Sequence, residues 1–126
     1  MPTLAARPER VFKSAWFTKA ARKSLIADAE LCMAIRQVML GQADDLGDGV
    51  FKKRLSKNQA HSIILAKGGR YWVYAYLFAK QDRANIDHGE LVEFRALADL
   101  YARKTDADIA KELKLKELVE ICHDNQ

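Results

Sequence analysis

Cations at alternate positions of an extended run are the side chains in this sequence best suited to chemistry. Lys52 and Arg54 stand two apart within residues 50–55, a β-rich segment, so both leave the same face of a strand. A pair so placed can be aimed at a phosphate. Lys80 and Arg83 stand where a later apolar run ends. Arg83 offers a planar fork that grips two phosphate oxygens, and Lys80 a point charge. His61 lies between the two pairs in sequence and can move a proton near neutral pH. Each has a plainer alternative: charges guarding an edge strand for Lys52 and Arg54, a solvated turn with an ion pair to Asp82 for Lys80 and Arg83, and a packed or surface imidazole for His61.

The setting of these residues favours a polyanion with bases. Residues 50–83 hold eight Lys or Arg against one acid, Asp82, while residues 84–126 hold six against ten, so the net charge of +4 conceals a strongly basic middle. Trp72, Tyr74 and Tyr76 follow at period two and could stack on bases, although aromatics also favour strands for their own sake. The sequence has no phosphate-binding Gly loop, no Gly-x-Ser-x-Gly elbow and no acidic cluster for Mg²⁺, and Asp44, Asp45 and Asp48 read as solvated loop acids. Cys122-His123 lacks a second ligand pair at zinc spacing. The expectation is therefore no metal and no cofactor. A nuclease built this way would stabilise its transition state with cations and use the RNA 2′-hydroxyl as nucleophile.

The elements that must position these groups are legible in outline. After a loose leader (1–9), residues 10–13 read as a first strand and Trp16-Phe17 as an apolar corner before a basic helix over 18–25. Asp28 is the expected N-cap of a second helix whose Leu31, Ile35, Val38 and Met39 share a face, and Gly41 ends it. Residues 43–49 read as a loop. Strands follow at 50–55, 61–67 and 70–80, the last two joined by Gly68-Gly69 as a two-residue hairpin turn. That turn would oppose His61 to Tyr76 and leave His61, Arg70, Trp72, Tyr74 and Tyr76 on the more open face. Asp87 and Glu90 have capping-box spacing ahead of an apolar stripe from Leu91 to Tyr101. A short helix over 106–113 leads to residues 118–121, which could be helix or closing strand. Residues 109–113 also look like the first helix of a helix-turn-helix, but Glu117 and Glu120 stand where a DNA-facing helix should be basic. The order gives one α+β domain over 1–126: a small antiparallel sheet packed on N-terminal helices, with additional helices in a C-terminal extension, 87–126.

Composition adds the compartment. No run approaches a membrane span or a signal peptide, and Cys32 and Cys122, 90 residues apart, read as two reduced thiols, which together point to the cytoplasm.

One stretch is more specific. Tyr76-Leu77-Phe78-Ala79-Lys80-Gln81-Asp82-Arg83-Ala84-Asn85-Ile86 resembles the strand-end signature of the RelE/ParE superfamily of toxin–antitoxin toxins, in particular its RelE/HigB-like branch. Val11-Phe12-Lys13 with Trp16-Phe17, and Phe51-Lys52-Lys53-Arg54-Leu55, are similar to the family's first two strands, and the likeness runs from Val11 to Ala98. It implies a β-α-α-β-β-β fold, metal-independent and ribosome-dependent cleavage of mRNA, and a cognate antitoxin, a small helix-turn-helix protein. By position it implies a catalytic set of Lys52, Arg54, His61, Lys80 and Arg83. Lys53, Lys57, Lys67, Arg70, Trp72, Tyr74 and Tyr76 are then expected on the surface that meets RNA and ribosome. Two departures stand out: His61 and Gln81 replace family arginines. The same fold also serves gyrase-poisoning toxins, so a non-nucleolytic inhibitor or a nucleic-acid-binding module is the alternative.

Overall fold

A computed structural model describes residues 8–57 and 59–123, so the expected leader lies mostly outside the described residues. The order is β1 (Arg10–Ser14), α1 (Ala15–Lys23), α2 (Asp28–Met39), β2 (Asp44–Gly47), β3 (Val50–Arg54), β4 (His61–Gly68), β5 (Tyr71–Ala79), α3 (His88–Ala102), α4 (Asp106–Lys114) and β6 (Leu118–Ile121). The strands form one sheet in the order β2-β3-β4-β5-β1-β6. The α+β class is as expected, with one parallel pair, β1 beside β5, in an otherwise antiparallel sheet.

Local chemistry sets most element ends. Ser14 caps α1 by accepting the Phe17 N–H at 3.1 Å, so this helix starts three residues earlier than periodicity suggests. Asp28 sits inside the first turn of α2 rather than at its cap, and its carboxylate receives Lys13 Nζ at 2.7 Å. The capping box of α3 forms as expected, with the Asp87 side chain on the Glu90 N–H and the Glu90 side chain on the Asp87 N–H, both at 2.8 Å. Residues 118–121 form the closing strand, antiparallel to β1.

Several expectations fail for reasons that lie outside local sequence. Residues 44–47 are an edge strand, not loop: Asp44 pairs with Lys52 and Asp45 with Phe51. Acids are tolerated in β2 because its only neighbour, β3, sets Lys52 and Lys53 beside them.

The hairpin turn is Gly69-Arg70, not Gly68-Gly69, because Gly68 pairs with Tyr71. Gly69 has φ +59° and takes the left-handed position of the turn. Gly68 is needed for a different reason. A Cβ there would lie 2.3 Å from the Ala98 carbonyl oxygen, so it lets the backbone of α3 touch the sheet. Further along, Leu65 faces Tyr74 but Ile64 faces Tyr76, so Ala75 is an extra residue in β5. This bulge turns Tyr76 to the opposite face from Tyr74. His61 consequently pairs with Ala79, not Tyr76.

Helices cover the middle of the sheet on both sides. Trp72 and Tyr74, 4% and 0% exposed, join Phe17, Leu31, Ile35 and Leu65 under α1 and α2. Phe12, Tyr71 and Val73 pack with Tyr101 and Ile109 of α3 and α4, and Val50, Ile64 and Phe78 with Leu91 and Phe94 of α3. Burial raises the Tyr74 phenol above its ordinary pKa, and its hydroxyl donates to the Leu31 carbonyl oxygen.

The two cysteines are bridged, contrary to the reduced-thiol expectation. Cys32 lies in α2 and Cys122 just past β6, and the return of β6 to β1 brings their Cα atoms to 5.4 Å. Separation of 90 residues in sequence gave no hint of this closeness. Among the described residues no helix is long and apolar enough to cross a membrane.

Candidate active site

β3 supplies the first two cations of the site. Lys52 pairs with Ile64 and Arg54 with Ser62, and Ser62 in turn pairs with Phe78 of β5. Directly paired residues share a face, so Arg54, Ser62 and Phe78 align across three strands on the α3 side. Lys80, one residue past β5, closes the same end, its N–H bonded to the Ala60 carbonyl oxygen at 2.6 Å. The result is a recess of about 300 Å3 lined by Asp44, Lys52, Arg54, Ser62, Phe78, Lys80 and Ala84.

Its lining is mostly basic, three cations against the carboxylate of Asp44. Among the described residues no ion pair reaches Lys52, Arg54 or Lys80. Lys52 Nζ lies 5.9 Å from the centre of the Phe78 ring. Arg54 donates Nε–H to the Gln59 carbonyl oxygen at 2.9 Å, which fixes the guanidinium while its terminal amino groups remain for an anion. Three cations thus surround a concave floor, two of them on one strand.

The other expected residues divide sharply. Arg83 is not in the recess lining. Its fork is bidentate to Glu90, at 2.9 and 2.6 Å, and it also donates to the Tyr76 hydroxyl at 3.1 Å. Those bonds, Glu90 first, raise its pKa, and Arg83 in turn holds the Glu90 carboxyl below the usual range. Since Glu90 also caps α3, Arg83 ties the end of β5 to that helix. His61 shares a face with Ile63, on the α1/α2 side, and its Nδ1 is buried without a hydrogen-bond partner. It faces away from Lys52 and Arg54.

The expected RNA-facing surface also changes. Lys67 pairs with Glu9 at 3.3 Å and lies over the Trp72 ring, and Arg70 grips Asp106 at 2.5 and 2.6 Å and the Pro8 carbonyl oxygen at 2.8 Å. Trp72 and Tyr74 are core and cannot stack on bases. Lys53 shares the face of Ile63, and Lys57 sits in the loop beside Glu30, away from the recess. Tyr76 is half-buried, between Trp16, Phe78 and Phe94.

Sequence reasoning missed Asp44 and Ser62 in the recess lining. Asp44 enters the lining only because β2 exists, and Ser62 only through register.

Comparisons agree with this architecture. Searches of curated proteins and of solved structures gave no match. The family model described as the RelE toxin of the RelE/RelB toxin-antitoxin system matches residues 9–121. That span runs from β1 through β6 and takes in the whole basic recess, and the chain belongs to the RelE toxin family.

Proposed function

We propose that this toxin is an mRNA endoribonuclease that acts in the cytoplasm on the ribosome, held in check by its cognate antitoxin. The carrying observation is the recess that unites Lys52, Arg54 and Lys80, none of them in an ion pair among the described residues. Lys52 and Arg54 bind the non-bridging oxygens of the scissile phosphate. The 2′-oxygen attacks phosphorus, and the O2′–P bond forms as the P–O5′ bond breaks. Asp44, the carboxylate of the recess, takes the 2′-hydroxyl proton, and Lys80 protonates the departing 5′-oxygen. The products are a 2′,3′-cyclic phosphate and a 5′-hydroxyl. Arg83 supports the site by fixing the end of β5 and α3. His61 has no part in it.

The test is induction of wild type, Lys52→Ala and Arg54→Ala, followed by primer extension on cellular transcripts. Codon-positioned cuts should appear for wild type and fall by about 10²–10³-fold for each variant, as for loss of one oxyanion donor. The circular dichroism spectra should stay unchanged. Growth arrest with uncut mRNA would refute cleavage, and DNA damage in its place would identify gyrase as the target.

A further inference from the structure

The aromatic residues that reach the surface lead into the basic recess. Trp16, at the start of α1, is 50% exposed, and its indole stacks on Tyr76 with ring centres 5.0 Å apart and planes 27° apart. Tyr76 stacks in turn on Phe78, 5.8 Å away at 29°. Phe78 lines the recess, under Lys52 Nζ. Three rings thus run from solvent to the proposed phosphate site.

Cover for Tyr76 would need only an apolar side chain of any shape. Here the cover is a flat indole, stacked on Tyr76 in a residue that is half exposed. Tyr76 itself is locked by the Arg83 bond to its hydroxyl and by Phe94 on α3, so the platform beneath Trp16 is rigid. A base that stacks on a pre-set ring loses less freedom than one that must order it. The cations at the far end of the row require a strand of phosphates, and a single-stranded nucleic acid has bases to offer at the near end. A protein partner has no such need for both.

We propose that Trp16 is the stacking platform for an unpaired base of the RNA strand whose scissile phosphate lies in the recess. This rests on the nuclease reading and adds to it a residue that positions substrate by its base. The platform is sequence-tolerant, because every base has a π-face.

The experiment measures binding of a short labelled single-stranded RNA and of the same strand with abasic riboses, by fluorescence anisotropy. Proteins compared are wild type, Trp16→Phe, which can stack, and Trp16→Leu, which covers Tyr76 but cannot. Wild type and Trp16→Phe should favour the strand with bases by about 5- to 150-fold, the equivalent of one stack. Trp16→Leu should lose that preference and keep its affinity for the abasic strand. Unchanged preference in Trp16→Leu, or equal weakening toward both strands, would overturn the platform. In either case codon-positioned cutting by wild type would leave the nuclease reading standing. Loss of antitoxin binding with RNA binding intact would show that Trp16 meets protein instead, and would overturn the proposal. Absence of any RNA binding by wild type would overturn the platform, while the nuclease reading would stand or fall by primer extension.

Discussion

The bridge between Cys32 and Cys122 yields the most quantitative prediction. Reduction, or Cys122→Ser, opens a loop with a sequence separation of 90 and restores the freedom of that loop to the unfolded chain. Chain-entropy reasoning puts the loss at about 4–5 kcal/mol for a loop of this length, with measured bridges more commonly near 2–4 kcal/mol. At about 2.1 cal/mol/K per residue of unfolding entropy, a domain this size moves by roughly 4 °C per kcal/mol. The expected fall in Tm is therefore roughly 8–18 °C.

The assay is calorimetry on oxidised wild type, reduced wild type and Cys122→Ser, with thiols titrated in denaturant. Oxidised protein should show none and reduced protein two. Cleavage by the reduced, still folded enzyme should match the oxidised, because the recess is built on β3 and the ends of β4 and β5, whereas the bridge lies beyond β6 at the opposite edge of the sheet. That independence bears on the cytoplasmic setting proposed above, where the thiol pool is kept reduced. Coincident melting of oxidised and reduced protein, within about 2 °C against a scale of 4 °C per kcal/mol, would refute the closure argument.

Other consequences are more local. Gly68→Ala forces a methyl group against the backbone of α3 and should cost about 1–3 kcal/mol, read as a lower midpoint in urea at unchanged slope. His61→Ala should leave cleavage rate and its pH profile unaltered; a drop on the order of 10²-fold would return His61 to the acid–base role. Stability should decline in acid. The Tyr71 hydroxyl and Arg70 hold Asp106 below the usual carboxyl range, Arg10 does so for Glu120, and Arg83 for Glu90. Each binds fewer protons folded than unfolded, so its contribution is complete above the ordinary carboxyl pKa of about 4 and disappears as pH falls through the lowered folded value. Asp106→Asn should flatten the Tm-against-pH curve below about pH 5, and a curve of unchanged steepness would contradict the assignment.

The parts of this molecule that were legible in its sequence are those decided within a few residues. The Asp87–Glu90 box, the end of α2 at Gly41 and the strand carrying Lys52 and Arg54 all form where local chemistry places them. What failed depends on partners far away in the chain. Asp44 and Asp45 become strand because β3 lies beside them, and Gly68 is glycine because of α3, not because of the turn. The period-two row Trp72, Tyr74, Tyr76 looked like one face, yet Ala75 is a bulge and α1 and α2 cover the first two. Periodicity alone cannot say which face a later helix will cover.

Charge makes the site readable where pattern could not. Among the eight cations of residues 50–83, Lys67, Arg70 and Arg83 each meet an acid brought in by tertiary structure: Glu9, Asp106 and Glu90. Their charge serves the fold. Lys52, Arg54 and Lys80 converge on one recess and no ion pair among the described residues balances them. Like charges repel, and Lys52 and Arg54 leave the same face of β3 two residues apart. A phosphate entering the recess removes that repulsion, and a phosphorane, with more negative charge on the same oxygens, removes more. Under the proposed cleavage such a recess favours the transition state over the bound strand, which is the condition for catalysis rather than mere binding.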